Sequence, residues 1–163
     1  MLIKIKKNGI LIYKKFQFRC VLGKMGIKKN KKEGDKATPR GIFNLGKLYY
    51  RADRIKKIGT HLKCKVIKKH MGWCNNPNDS KYNKEFDLKS RKKGEKLFRK
   101  DHKYDAFIPI NYNTNPVIPH RGSVIFLHLT RNYKPTAGCI AVSIKNFLIL
   151  VKYIKPTDKI KIG

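Results

Sequence analysis

Apolar and polar residues alternate with a period of two near both ends of the chain. Two such segments, Leu2–Lys6 and Ile10–Tyr13, are separated by Asn8-Gly9, a dipeptide typical of a two-residue β-hairpin. Phe16–Leu22 is predicted to form a third strand, and Lys159–Ile162 alternates as an edge strand would. The chain is therefore expected to begin and end in β-structure.

The middle of the chain alternates between apolar runs and segments rich in turn-forming residues. Ile42–Leu45 and Tyr104–Tyr112 are predicted strands, and Ser123–Leu129 is an apolar run typical of a central strand covered on both faces. Residues 23–36, rich in glycine and lysine, predict an exposed loop. Residues 70–95, crowded with Asn, Asp, Pro, Gly and Ser, predict a long ordered loop.

Helical periodicity is clearest in the last part of the chain. Ser143 is a suitable N-cap for a helix, and a second short helix is expected near Glu95–Lys100. The apolar stripe of the first helix comprises Ile144, Phe147, Leu148 and Val151. We predict a mainly β fold with one or two short helices, in a single domain spanning residues 1–163.

The net charge of +30, from 40 basic and 10 acidic residues, first suggests a nucleic-acid binder. The basic residues are, however, 32 Lys and 8 Arg spread along the whole chain, whereas base and phosphate recognition favours the Arg fork. A solvated lysine surface and attraction to an anionic polymer, such as a carboxylate-rich cell wall, are the other interpretations. We expect no specific nucleic-acid partner.

The sequence also argues against a membrane-spanning protein, a disulfide-stabilised domain and a zinc-binding protein. No apolar run approaches the ~18 residues of a membrane span, and the N-terminal segment lacks the apolar core of a signal peptide. The four cysteines form no regular disulfide framework. The spacing of Cys64, His70 and Cys74 fits no zinc template, so we expect no zinc site there.

Two residues near the end of the apolar run carry candidate chemistry. His128 is a polar residue within that run, and Gly138-Cys139 follows in a loop eleven residues later. A thiol attacks only as the thiolate and needs a nearby base, while Gly allows a strained backbone whose N–H groups can face an oxyanion. The pair is suited to acyl transfer, although a lone His and a lone Cys are also common core residues.

Motifs along the chain, in the same order, resemble those of the L,D-transpeptidase (YkuD-type) catalytic domain family. Its strand His and Ser/Thr-His-Gly-Cys loop correspond to Leu127-His128 and Thr136-Ala137-Gly138-Cys139. Further similar segments are 33–43, containing Thr38-Pro39-Arg40-Gly41, then 49–54, 72–77 and 122–128. The resemblance covers roughly residues 16–150. It implies a β-sandwich-like fold and a cysteine acyl-transfer mechanism on peptidoglycan stem peptides, without a cofactor.

The resemblance also implies roles for individual residues. Cys139 is expected as the nucleophile with a depressed pKa, His128 as its base oriented by the Leu129 carbonyl, and Gly138 with Cys139 as oxyanion donors. Candidate substrate-binding residues are Arg51, Tyr50, Trp73, Thr136 and Arg121. Ala137 and Ala141 stand where the family commonly has His and Arg, which leaves the acceptor specificity open.

The resemblance implies peptidoglycan L,D-transpeptidation, which contributes to cell wall biogenesis and cell shape, in the periplasm or cell envelope. An L,D-carboxypeptidase or amidase using the same acyl-enzyme, and a non-catalytic basic module that binds an anionic polymer, are the alternatives. Donor and acceptor stem peptides are the expected partners of a monomer.

Overall fold

The computed structural model describes residues 1–90 and 94–163, and in that part of the chain one helix accompanies fifteen strands. The strands are β1 Leu2–Lys6, β2 Ile10–Tyr13, β3 Phe16–Arg19, β4 Ile27–Lys28, β5 Thr38–Pro39, β6 Gly41–Asn44, β7 Leu48–Tyr50, β8 Cys64–Val66, β9 Met71–Trp73, β10 Glu85–Asp87, β11 Glu95–Lys96, β12 Ala106–Pro109, β13 Phe126–Leu129, β14 Ile140–Val142 and β15 Lys159–Ile162. The helix, α1, is Ile144–Tyr153.

The first five-stranded sheet has the order β3-β2-β1-β15-β6. The predicted hairpin of β1 and β2 is confirmed by antiparallel pairing of Ile5 with Leu11. The prediction of an edge strand at 159–162 is wrong, since β15 lies between β1 and β6. Strand β15 alternates because one of its faces is buried and the other is solvated. An interior strand with one solvated face shows the same alternation as an edge strand, so the pattern does not distinguish the two positions.

The second five-stranded sheet, β14-β13-β12-β7-β8, contains the most buried strands of the described chain. Every residue of β12, β13 and β14 is buried, which confirms the central strand predicted from the apolar run. Because β13 and β14 pair in parallel, His128 lies opposite Ala141.

Helix α1 starts at the predicted cap, where the Ser143 hydroxyl accepts a hydrogen bond from the Asn146 N–H at 3.3 Å. Its buried face comprises Phe147, Leu150 and Val151. Ile144, predicted to belong to the apolar stripe, is 48% exposed because the helix has only just begun there. In the described residues no helix has the length and apolarity needed to cross a membrane.

Two hydrophobic clusters hold the sheets together. The larger cluster joins the inner faces of both sheets and α1, through residues such as Ile3, Leu11, Leu127 and Phe147. The smaller cluster covers the other face of the second sheet and is rich in aromatic rings, with Phe107 stacked on Phe126 at 4.5 Å. The mainly β, sandwich-like fold predicted from the sequence is thus confirmed, with one helix in the described residues.

The segment predicted as a long loop contains a small sheet of order β10-β9-β11, although residues 91–93 of that loop lie outside the described residues. The second helix expected near 95–100 is wrong. Glu95 instead lies in β11 and pairs with Trp73 of the neighbouring strand β9, and the Leu97 N–H donates to the Met71 carbonyl at 3.1 Å. A Glu95–Arg99 ion pair at helical spacing does form, but the backbone hydrogen bonds are made to β9.

The interior position of β15 has a measurable consequence for stability. Ile160 is fully buried between β1 and β6, so we expect Ile160→Ala to lower the free energy of unfolding by about 2–5 kcal/mol, as truncation in a packed core does. The exposed neighbour Lys161 is the matched control, and its change to Ala should stay within about 0.5 kcal/mol. Denaturant unfolding measures both, and equal losses would contradict the core position of β15.

Candidate active site

The candidate site lies where β13 and β14 run side by side. His128 is on β13, and Cys139 directly precedes β14, whose Ala141 is the register partner of His128. Both residues line one cleft of about 440 Å³. Parallel pairing therefore brings together a thiol and an imidazole that are eleven residues apart in the sequence.

The His128 imidazole is buried and held in one orientation. Its Nδ1 lies 2.9 Å from the Leu129 carbonyl oxygen, which can only accept, so Nδ1 carries the proton and Nε2 is the free lone pair. The edge of the Tyr104 ring packs against it at a centroid distance of 5.4 Å. Burial lowers the pKa of His128 to about 4, so the ring is neutral at neutral pH. The expected contact with the Leu129 carbonyl is confirmed.

The Cys139 thiol is 9% exposed and makes two hydrogen bonds. Sγ donates to the Val124 carbonyl oxygen at 3.1 Å and accepts from the Phe126 N–H at 3.4 Å. In the described part of the chain, its hydrogen bonds do not include the imidazole. Burial raises the pKa of Cys139 to about 12, with a smaller opposing effect of the Phe126 N–H. The expected depressed pKa is wrong for the resting thiol, because desolvation outweighs the groups that favour thiolate.

The loop that carries Cys139 is braced by Thr136. Its hydroxyl donates to the Cys139 carbonyl at 2.6 Å and accepts from the Gly138 N–H at 3.1 Å. Gly138 has φ +142°, and a Cβ there would lie 2.8 Å from the Ala37 carbonyl oxygen, so the position requires glycine. Of the two expected oxyanion donors, Gly138 is engaged by Thr136, whereas no hydrogen bond among the described residues uses the Cys139 N–H.

Arg51 does not line the cleft. Its guanidinium is buried and donates two hydrogen bonds to the Asp53 carboxylate, at 2.7 and 2.6 Å. It donates a third to the Arg99 carbonyl at 2.8 Å. It also lies over the Phe98 ring at 3.4 Å. With its donors used in this way, Arg51 connects the segment after β7 to the segment after β11.

The remaining predicted substrate-binding residues are also outside the cleft lining, except Thr136. Tyr50 packs against the larger hydrophobic cluster. Trp73 and Phe126 form an edge-to-face ring contact with centroids 5.2 Å apart, and Arg121 is exposed beside a separate groove. The structure therefore brings together His128, Cys139, Gly138 and Thr136 and leaves the other four elsewhere.

Charged residues that the sequence reasoning did not select line the cleft instead: Lys31, Glu33, Lys36, Glu95, Arg99, Lys103 and Lys134. Lys31 is buried and paired with Asp35 at 2.7 Å. Glu33 accepts hydrogen bonds from the Ser123 hydroxyl at 2.8 Å and from the Tyr82 hydroxyl. A signal was present, since Glu33 and Asp35 are rare acidic residues in a lysine-rich loop next to the Thr38-Pro39 motif.

No three His, Cys, Asp or Glu side chains are grouped as a metal site requires, within residues 1–90 and 94–163. Cys64 and Cys74 are free thiols, the first exposed and the second buried. The cleft contains a buried thiol and a neutral imidazole, surrounded by charges of both signs.

Comparisons with known proteins identify the family and the fold. Residues 2–162 match the L,D-transpeptidase catalytic domain, YkuD. Solved structures with a similar fold include the helical cell shape determining protein Pgp2 from Campylobacter jejuni and a lysine-to-alanine mutant of it, each at TM-score 0.50. Their sequence identities to this chain are 16% and 17% over 99% of its length, and the chain spans 46% of each of theirs. No curated protein matches the chain. Because the family match covers nearly every residue, the chain belongs to the L,D-transpeptidase catalytic domain (YkuD) family.

Proposed function

We propose that this protein is a cysteine-dependent acyltransferase that forms L,D-crosslinks between peptidoglycan stem peptides. The observation that carries the proposal is that Cys139 and a neutral, oriented His128 line the same cleft of a YkuD-family fold. Residues 1–163 are proposed to form one catalytic domain.

In the first half-reaction, the Cys139 thiol gives its proton to Nε2 of His128 as Sγ attacks the scissile carbonyl carbon of the donor stem. The pKa of Cys139, raised to about 12, means that the thiolate is not present beforehand, so proton transfer accompanies attack. The new S–C bond places a negative charge on the former carbonyl oxygen, which the Cys139 N–H can stabilise. Collapse breaks the C–N bond, and the leaving amine takes the proton from His128.

In the second half-reaction, an amine of an acceptor stem gives a proton to His128 and attacks the thioester carbonyl. The S–C bond then breaks, Sγ of Cys139 takes the proton from His128 and is restored as a thiol, and a new amide crosslink remains. Ala137 supplies no second imidazole, so the same His128 is proposed to serve both half-reactions. Attack by water instead of the amine would give an L,D-carboxypeptidase from the same thioester.

The cations of the cleft are suited to the carboxylates of a stem peptide. Lys36, Lys103 and Lys134 line the cleft and form no ion pair among the described residues. The family commonly has an Arg at the position of Ala141, and these lysines can supply the positive charge of that Arg. Thr136 is proposed to fix the loop beneath the substrate. The net charge of +30 further favours a carboxylate-rich wall, which is consistent with action in the cell envelope and a role in cell shape.

The decisive experiment incubates the protein with purified disaccharide-tetrapeptides and identifies products by mass spectrometry. We expect dimers from the wild type and none from Cys139→Ala, which removes the nucleophile while Ala fits the buried position. Cys64→Ala is the matched control, because Cys64 is exposed and outside the cleft lining, and it should retain full activity. Tripeptide without dimer would favour the carboxypeptidase, and unchanged dimer formation by Cys139→Ala would exclude the proposed mechanism.

The role of His128 is tested by intact-protein mass spectrometry. In His128→Ala we expect no adduct on Cys139 and a loss of acylation rate of about 10²–10⁴-fold, since a positioned general base contributes about that much. The variant should stall before the thioester, because no other imidazole lines the cleft among the described residues. A stoichiometric adduct on Cys139 in this variant would show that another group takes the thiol proton.

The order of cysteine labelling tests the resting state of the thiol. With its pKa raised to about 12, Cys139 holds little thiolate at pH 7, and that fraction grows about tenfold with each pH unit. We therefore expect iodoacetamide to label the exposed Cys64 before Cys139 in the free enzyme. Peptide mapping over a series of pH values measures the order. Labelling of Cys139 ahead of Cys64 at pH 7 would mean that the thiolate is already formed.

A further inference from the structure

The segment that accepts the Cys139 hydrogen bond has an unfavourable backbone. Val124, whose carbonyl oxygen accepts a hydrogen bond from Cys139 Sγ at 3.1 Å, has φ +57°. A β-branched residue is rarely found in this left-handed region, and holding it there costs about 1–3 kcal/mol. His120 and Gly122 have positive φ as well, at 64° and 104°. Contacts from elsewhere in the fold must therefore hold residues 120–124 in place.

Those contacts come from two neighbouring residues of the loop between β9 and β10. The Asn83 Oδ1 atom accepts the Val124 N–H at 3.1 Å, and the Tyr82 hydroxyl oxygen accepts the Gly122 N–H at 3.0 Å. Glu33 adds a third point by accepting from the hydroxyls of Ser123 and Tyr82. The segment is thus fixed through backbone and side-chain atoms from two distant parts of the chain.

Asn83 is itself rigidly held. It is 5% exposed, and its amide nitrogen donates to the carbonyls of Tyr112 and Asn113 at 2.9 and 2.8 Å. Its Oδ1 also accepts from the Trp73 indole N–H at 3.2 Å. Every donor and acceptor of the Asn83 side chain is therefore used, and a buried, fully satisfied amide restricts its neighbours to one arrangement.

We infer that Asn83 is a positioning residue for Cys139, which acts by fixing the Val124 backbone so that its carbonyl holds the thiol in one orientation. The inference rests on the proposed role of Cys139 as nucleophile. Asn83 does not line the cleft, so it acts through Val124 and without contact to the substrate. The held thiol stays protonated until a substrate is in place.

Loss of the Asn83 oxygen should release this carbonyl and admit water to the thiol, and both changes favour the thiolate. The ionisable groups that act on Cys139 from the surrounding elements are Glu95, Lys31, Lys103, Tyr104 and His128. The variants below leave all of them in place, so a change in the titration of Cys139 reports on its positioning.

The experiment measures iodoacetamide labelling of Cys139 from pH 7 to about pH 10, with peptide mass spectrometry resolving each cysteine. In the wild type the rate should rise about tenfold per pH unit without a plateau. In Asn83→Ala we expect a plateau below about pH 10, and a rate at pH 8 at least about tenfold above the wild type. Easier access alone would raise the whole profile without producing a plateau.

Asn113→Ala is the matched control. Like Asn83, Asn113 has a left-handed backbone, at φ 51°. Its side chain makes two hydrogen bonds with Ile118 and one with Gly122, but none with Val124. It should keep the wild-type profile. The buried Cys20 and Cys74 report general loosening in every sample. A plateau for Asn113→Ala, parallel acceleration of Cys20 and Cys74, or an unchanged profile for Asn83→Ala would each overturn the inference.

Asn83→Gly keeps the test available if Asn83→Ala does not fold. Gly adopts the left-handed backbone of this position (φ 56°) without strain and adds no charge, while it also removes the oxygen that accepts the Val124 N–H. We expect the same plateau below about pH 10 as in Asn83→Ala. A wild-type profile for Asn83→Gly would overturn the inference. Labelling does not require turnover, so these results stand even if Cys139→Ala proves active and the proposed function fails.

Discussion

The parallel pairing of β13 with β14 is the constraint on which the rest of this site depends. It sets His128 opposite Ala141 and so brings Cys139 into the same cleft. Both strands are buried on both faces, and a slip of their pairing by one residue would turn every side chain of the slipped strand to the opposite face of the sheet. The same burial determines the protonation of the two groups. It keeps the imidazole neutral and the thiol protonated, because a low-dielectric surrounding disfavours both imidazolium and thiolate.

Strain next to the thiol is balanced by hydrogen bonds from distant segments. Val124 occupies a backbone conformation that is unfavourable for a β-branched residue, and Asn83 and Tyr82 accept the N–H groups of Val124 and Gly122. Glu33 belongs to the same network while also lining the cleft. The acidic residues, few in a chain of charge +30, are thus concentrated where they fix structure: Asp53 holds Arg51, Asp35 holds Lys31 and Asp105 holds Arg54. Most of the lysines lie on the solvated surface, where their charge acts at long range.

Features that depend on neighbours in the sequence were determined by the sequence itself. Alternation predicts β1 and β2, Asn8-Gly9 predicts their hairpin, and Ser143 predicts the start of α1, because each depends on side chains within a few residues. The family motif at His128 and Cys139 belongs to the same class, since it consists of two short segments of fixed spacing. From these features alone the mainly β fold and the candidate nucleophile could be predicted.

Features that depend on burial by distant segments were decided only by the tertiary structure. The interior position of β15 requires β6 as a second neighbour, and Glu95 extends a strand because β9 offers it backbone partners. Arg51 looked suited to a substrate carboxylate, yet the fold commits it to Asp53, which is two residues away, and to the Arg99 carbonyl. The pKa of Cys139 rises where the sequence suggested a fall, because His128 and Gly138 were visible in the sequence while the surrounding aromatic cluster was not. A charge partner can be recognised from local residues, but desolvation is a property of the whole packed fold.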